Sequence, residues 1–223
     1  MVKSYFCIMS FNKIIVLLFI ICQKITAQSI SDSLKMVAKG ATPIKIATAF
    51  SFTEGPARDA QGNIFFTDQP NDRIMKWSAI DGKITEWMKP SGRSNGLFFD
   101  EKGNLLACAD EKNQLWSIDV NKNIKVLIND FEGKKLNGPN DLWITKNENI
   151  YFTDPFYKRE YWSHSTPEID QQRVYFHNTK TGKTSIADST LLQPNGIIGS
   201  KDGDKLFVAD IRGRKTYSYT INA

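Results

Sequence analysis

Past residue 43 the apolar residues fall in short runs bounded by Gly, Asn, Asp or Pro, and one run returns four times. It appears as Gly62-Asn-Ile-Phe-Phe-Thr-Asp68, Gly103-Asn-Leu-Leu-Ala-Cys-Ala-Asp110, Glu148-Asn-Ile-Tyr-Phe-Thr-Asp154 and Gly203-Asp-Lys-Leu-Phe-Val-Ala-Asp210. Each copy is a turn followed by a β-rich apolar stretch that closes on Asp. The closing aspartates stand 42, 44 and 56 residues apart. Ahead of each lies a second recurring phrase: Glu54-Gly-Pro56, Ser94-Asn-Gly96, Pro139-Asn-Asp141 and Pro194-Asn-Gly196. From Glu54, Asn95, Asn140 and Asn195 to the closing Asp the distances are 14, 15, 14 and 15 residues. Behind each Asp comes a third run: Arg73-Ile-Met-Lys-Trp77, Gln114-Leu-Trp-Ser-Ile118, Arg173-Val-Tyr-Phe176 and Lys215-Thr-Tyr-Ser-Tyr219. In the first three copies a turn and a fourth run follow, as in Asp81-Gly-Lys-Ile-Thr-Glu-Trp87.

Four short strands per unit, at roughly 40 to 45 residues per unit, predict an all-β fold, a β-propeller of four-stranded blades. A β-sandwich with coincidental turns would not keep the same spacing four times. About four blades are present. The longer third interval comes from an insertion at 155–172, rich in aromatics and charges, which reads as a loop over one face of the disc. The fourth unit stops after its third strand, and residues 43–49 read as a spare strand. That strand either completes the last blade, removing an exposed edge, or awaits a blade further on, so the chain is expected to be truncated. Trp77, Trp87, Trp116, Tyr175 and Tyr217 read as packing between blades. Because Asp68, Asp110, Asp154 and Asp210 recur in every blade, a structural role is expected of them.

The first 27 residues have a different character. They hold Lys3, Lys13 and Lys24, no acidic residue, and an unbroken apolar run at 14–22. That run is far shorter than the roughly 20 residues that cross a bilayer as a helix. A basic start, a short apolar core and small Ala27 describe a secretory signal peptide. The expected organisation is a signal peptide at 1–27, a linker at 28–42 and a partial propeller at 43–223. The protein is then exported, periplasmic or secreted, with no stable membrane anchor once the signal is removed. Without those three lysines the formal charge of +5 falls to about +2. The remaining basic residues are scattered among acids, which argues against nucleic-acid binding. One cysteine, Cys108, remains, so no internal disulfide is expected and the core must come from apolar burial.

Equivalent positions in a propeller converge on its axis, which places Glu54, Asn95, Asn140 and Asn195 in a ring at one mouth of the channel. One carboxylate and up to three amide carbonyls form an all-oxygen set suited to one hard divalent cation. Ca²⁺ is favoured by oxygen number and flexible geometry; Mg²⁺, Mn²⁺ and Zn²⁺ remain open. Against this stands the plainer reading that Asn and Gly merely make turns, strongest for Asn95. Nucleophilic catalysis has little support: no Gly-x-Ser-x-Gly elbow occurs, His164 lies in the insertion, and His177 is expected at the surface or rim. Cys108, inside an apolar run, reads as buried packing.

Glu54-Gly-Pro, Leu136-Asn-Gly-Pro-Asn140-Asp141, Tyr151-Phe-Thr-Asp-Pro155 and Gln193-Pro-Asn195-Gly-Ile197 resemble the successive motifs of the gluconolactonase/regucalcin (senescence marker protein) family. The resemblance spans nearly all of the chain after the signal. It implies a six-bladed propeller with a divalent metal in its channel and hydrolysis of a sugar or other small lactone. By resemblance, Glu54 and Asn195 match metal ligands, and Asn140 matches the asparagine near metal and substrate, with Asn95 as a further substrate-side residue. The family's aspartate general base would fall beyond Ala223. The arginine that some members place two residues before Asn140 is Gly138 here, so sugar-acid specificity does not carry over. Two rivals stand: a non-catalytic binding propeller, and a strictosidine-synthase-like propeller that uses a catalytic acid and no metal.

Overall fold

A computed structural model describes residues 37–222 of the chain. The chain divides after Thr48 into two units. Of the first, residues 37–48 carry no strand or helix and are mostly exposed, so the spare strand expected at 43–49 does not form. The expected signal peptide at 1–27 and most of the expected linker at 28–42 lie outside the described residues. Among the described residues every strand belongs to the second unit.

That unit is a propeller of four antiparallel sheets. The first blade is β1 (Thr53–Arg58), β2 (Ile64–Asp68), β3 (Arg73–Trp77) and β4 (Ile84–Met88). The second is β5 (Ser94–Phe99), β6 (Leu105–Ala109), β7 (Gln114–Ile118) and β8 (Ile124–Ile128). The third is β9 (Leu142–Ile144), β10 (Ile150–Asp154), β11 (Arg173–Asn178) and β12 (Lys183–Asp188). The fourth holds β13 (Pro194–Gly199), β14 (Lys205–Asp210) and β15 (Lys215–Thr220). Within each blade the strands pair antiparallel in chain order, mostly through short turns and across the 155–172 insertion between β10 and β11.

The turns follow from side-chain chemistry. Asp59 Oδ1 accepts the amides of Gln61 (3.0 Å) and Asn63 (2.8 Å), and Asn63 Nδ2 returns a bond to Asp59 Oδ2. The same clasp recurs at Asp100 with Asn104 and at Asp119 with Asn123. Each fixes a hairpin turn in which an Asp side chain replaces a backbone acceptor.

The core is not one layer but three, each between neighbouring blades. Phe65 and Ile74 of the first blade pack on Leu97, Leu105 and Trp116 of the second. Leu106, Cys108 and Leu115 pack on Leu142, Phe152 and Tyr175. Trp143 and Val174 pack on Ile197, Leu206 and Val208. Inner strands are therefore buried on both faces, and β6 is apolar and buried throughout. Trp87, Trp116, Tyr175 and Tyr217 sit in these layers as expected, whereas Trp77 belongs to none of them. Cys108 is fully buried, and burial pushes its thiol well up, out of reactive range. His177, expected at the rim, is instead 7% exposed. Its Nδ1 lies 2.9 Å from Thr184 Oγ1 on the adjacent strand, which lets a buried imidazole keep a partner.

Candidate functional site

The first strand of each blade carries the polar phrase, and pairing along it breaks where the phrase falls. The register shifts between Glu54 and Ala57 in β1, between Ser94 and Leu97 in β5, and between Pro194 and Ile197 in β13. Such irregularities re-aim side chains that a regular strand would send into the neighbouring blade. In the third blade β9 begins only at Leu142, and Asn140 is held just before it by its amide bond to the Thr153 carbonyl, 2.9 Å.

The strands come together through their backbones. The Gly96 amide donates to the Asn140 carbonyl at 2.7 Å. A β-carbon on Gly96 would stand 2.5 Å from Asp141 Oδ1 and 2.6 Å from Asp141 Cα, so only glycine permits this approach. Two threonines complete the links. The Thr67 hydroxyl lies 3.1 Å from both the Glu54 and Asn95 carbonyls, joining the first blade to the second. The Thr153 hydroxyl donates to the Asn195 carbonyl at 2.7 Å, joining the third to the fourth.

The result is a cavity of about 440 Å³ lined by Glu54, Asn140, Asp141 and Asn195, with Leu97, Leu142 and Ile197 among its apolar walls. Three of the four ring residues read from the repeat are thus brought to one space. Asn95 is not among its lining residues: it is buried at 3% exposure, and Gly96 beside it faces the cavity instead.

The chemistry of the lining is oxygen-rich and underused. Among the described residues, neither the Glu54 carboxylate nor the Asn140 side-chain amide takes a protein hydrogen bond. Asn195 spends its amide nitrogen on the Tyr157 hydroxyl, 3.1 Å away, which leaves its Oδ1 as the free end. One carboxylate and two amide oxygens around a common cavity fit a hard divalent cation that takes its remaining ligands from water or substrate. Among the described residues no cluster of three or more His, Cys, Asp or Glu side chains could hold a metal, as follows when two of the donors are amides.

Asp141 is the lining residue that the repeat does not single out. It stands where the other three blades carry glycine, at Gly55, Gly96 and Gly196, and that departure is the sequence signal for it. Its Oδ1 accepts the Leu142 amide at 2.9 Å and its Oδ2 the Ile197 amide at 3.0 Å, so it ties β9 to β13. Burial raises its pKa to about 6; the two amides pull it down, and the charge of Glu54 pushes it up.

The insertion at 155–172, between β10 and β11, lies against the second blade and is partly buried, with Trp162 and Ile169 in the interior. Asp110 receives it. Arg159 Nε donates to Asp110 Oδ2 at 3.0 Å, Tyr161 donates its hydroxyl to the same oxygen, and Trp162 Nε1 donates to the Asp110 carbonyl at 2.8 Å. His164 stacks on Trp162, with ring centroids 4.7 Å apart, and is not among the residues that line the cavity.

Fold and site together define a β-propeller with an oxygen-lined pocket where its first strands meet. The family described as the SMP-30/gluconolactonase/LRE-like region matches residues 52–223, and the chain belongs to that family. The gluconolactonase of Zymomonas mobilis subsp. mobilis is 29% identical over 196 residues, covering 81% of this chain and 55% of its own. An X-ray structure provisionally assigned as a gluconolactonase shares the fold with a TM-score of 0.74 at 30% identity, covering 81% of this chain and 63% of that one. The gluconolactonase XC5397 of Xanthomonas campestris shares it with a TM-score of 0.73 at 24% identity, over 78% and 60% of the two chains. The chain therefore spans between half and two thirds of the length of these proteins.

Proposed function

We propose that the protein containing this chain hydrolyses a sugar or other small lactone, using one divalent cation held by Glu54, Asn140 and Asn195. The observation that carries this reading is the unpaired Glu54 carboxylate facing the same cavity as two asparagines with free amide oxygens, in a member of this family. A cation bound there would supply a Lewis acid that polarises the lactone carbonyl, so that water adds to its carbon and the ring ester C–O bond breaks. Glu54 provides the negative charge that draws the cation in, and the two amide carbonyls add neutral oxygens that leave the remaining ligand positions open. Leu97, Leu142 and Ile197 offer apolar walls for ring carbons and reduce the water around Glu54. Asp141 holds β9 and β13 at the spacing that keeps Asn140 and Asn195 on one cavity. Ca²⁺ is the cation that the flexible all-oxygen set favours.

The test is a proton-release assay of the full-length protein against D-glucono-1,5-lactone and other aldonolactones, with Ca²⁺, Mg²⁺, Mn²⁺ or Zn²⁺ added after chelation. Chelation is expected to abolish turnover, and Glu54→Gln to lower kcat/KM by about 100-fold or more, the scale of losing a charged transition-state contact. Failure to open any lactone with all four cations would overturn the proposal. Turnover that survives chelation yet dies in Glu54→Gln would point instead to Glu54 as a metal-free acid, as in a strictosidine-synthase-like propeller.

A further inference from the structure

The insertion at 155–172 reaches the oxygen-lined cavity at one point, and the contact is with a proposed cation ligand. Asn195 donates through Nδ2 to the Tyr157 hydroxyl at 3.1 Å. Tyr157 is in turn held from behind: the Arg159 guanidinium lies over its ring at 5.5 Å while Arg159 Nε is bonded to Asp110 at 3.0 Å. Asp110 is 2% exposed, and it also takes the Tyr161 hydroxyl and Gln69 Nε2. Arg93 covers the Tyr161 ring at 4.4 Å. Phe156 donates its amide to Gln172 Oε1 at 2.9 Å, tying the two ends of the insertion together, and Glu168 accepts the Lys135 amide at 2.8 Å. The loop is therefore a strap fixed at several places. Its most buried anchor lies in the second blade, and among the described residues its hydrogen bond to the cavity's polar lining is made to the fourth.

A side-chain amide has two orientations of the same shape and opposite chemistry. With its oxygen toward the cavity it can ligate a cation; turned over, it presents two N–H donors that repel one. Tyr157, which is not among the residues lining the cavity, accepts from that nitrogen; a phenol can also donate, so the charge of the cation selects the oxygen-inward orientation and Tyr157 keeps its N–H satisfied. Without it, the ligating orientation would leave the amide nitrogen facing a partner that accepts nothing, at the cost of an unsatisfied donor.

We propose that Tyr157 is a positioning residue for Asn195: the strap, anchored on Asp110 through Arg159, presents the Tyr157 hydroxyl so that Asn195 Oδ1 faces the cation. This rests on the metal site proposed above and assigns the strap a role in it that the repeat does not predict. Ligands to metals are commonly oriented by such outer partners, whose loss typically costs 10- to 100-fold in affinity.

The experiment is calorimetric titration of Ca²⁺ into the metal-free, full-length protein and its Tyr157→Phe and Asn195→Ala variants, with thermal melts of each. Terbium emission lifetimes in H₂O and D₂O then report the waters on an ion bound in place of calcium. Tyr157→Phe is expected to weaken Ca²⁺ binding by about 10-fold, leave the metal-free melting temperature unchanged and add a coordinated water as Asn195 Oδ1 withdraws. Wild-type affinity in Tyr157→Phe, with Asn195→Ala impaired, would overturn the positioning role and leave the metal site standing. Weaker binding with no change in coordinated water would likewise overturn it. A wild-type protein that binds none of Ca²⁺, Mg²⁺, Mn²⁺ and Zn²⁺ would overturn both, and the wild-type titration alone would show it.

Discussion

Asp68, Asp154 and Asp210 each reach back to the segment that leads into their own blade and accept two consecutive amides from it. Asp68 takes Ser51 and Phe52, Asp154 takes Asn137 and Gly138, and Asp210 takes Leu192 and Gln193. The recurring Asp thus closes each blade on its own entrance, satisfying amides that have no strand partner there. Asp110 is the exception, because its carboxylate is turned to the strap. At the entrance to the second blade Asp72, from the β2–β3 connection of the first, takes over, its Oδ1 accepting the Ser91 amide at 2.9 Å and the Arg93 amide at 2.7 Å. Two residues of different sequence position should therefore behave alike. Asp210→Ala and Asp72→Ala are each expected to cost about 1–3 kcal/mol, the scale of stranding hydrogen-bonding groups, measured by urea unfolding. Asp110→Ala should instead open the strap to trypsin at Lys158 or Arg159. Equal proteolysis of all three variants at the strap would contradict this division of labour. The repeat makes the structural role of these aspartates legible, but not the exception. Periodicity assigns equivalent residues equivalent roles, whereas Asp110 was diverted by an insertion that breaks the period.

At the scale of the element, the first strands decide whether there is a site at all. Their phrase is legible as a repeat because it recurs at one place in every blade, and three of the four blades turn its polar residue to the cavity. What the spacing does not reveal is how closely successive strands approach, since that depends on which β-carbons are absent and which backbone lies opposite. Gly96 and Gly196 hold the same position in the second and fourth copies of the repeat and look interchangeable in sequence. A β-carbon on Gly96 would meet Asp141 Cα at 2.6 Å and the Asn140 carbonyl at 2.7 Å, both backbone atoms, so β5 and β9 would have to part. At Gly196 a β-carbon would meet Asp141 Oδ2 at 3.9 Å, an ordinary contact. Gly96→Ala is accordingly expected to destabilise by about 1–3 kcal/mol, as overpacking does. Gly196→Ala should be within about 0.5 kcal/mol of wild type, since it adds little strain and removes some freedom from the unfolded chain. Matched melts of the two variants check the contrast; equal losses would mean that the first strands are no closer between the second and third blades than between the third and fourth. Thr67 and Thr153 escape sequence reading for a related reason. Threonine in a strand is ordinary, and only the neighbouring blade's carbonyl makes it a clasp.

Across the whole propeller, packing blades face to face puts carboxyl groups where a monolithic core would hold none. Burial raises the pKa of Asp154 to about 7, with the Asn137 and Gly138 amides and Arg173 pulling it down and Asp110 pushing it up. Asp110 and Asp141 shift upward by burial as well. In Asp68 and Asp210 the order reverses: burial raises, but hydrogen bonds from Asn71, Arg73 and the entrance amides, or from Gly213 and its own entrance amides, outweigh it and lower the pKa. The two groups therefore act in different pH ranges. A carboxyl with a lowered pKa stabilises the fold above its unfolded value of 3.8 and loses that contribution as the solution becomes more acid. A carboxyl with a raised pKa stabilises the fold while protonated and loses the contribution as pH climbs through its folded value. For Asp154, moving from 3.8 to about 7 corresponds to a loss on the order of 4 kcal/mol between acid and neutral pH, at 1.36 kcal/mol per unit. Buried His177, its pKa lowered by desolvation, works in the opposite sense over part of this range, because acid forces a charge onto it. The wild-type curve alone is thus a mixture, and the informative quantity is a difference. Asp154→Asn keeps the shape of the protonated acid and cannot ionise, so its stability relative to wild type should rise most steeply between pH 5 and pH 6, at about 1.4 kcal/mol per pH unit, and level off above pH 7. Urea unfolding of both proteins across that range measures it. A difference that stays flat would mean that Asp154 remains ionised throughout, with its two entrance amides prevailing over burial as they do at Asp68 and Asp210.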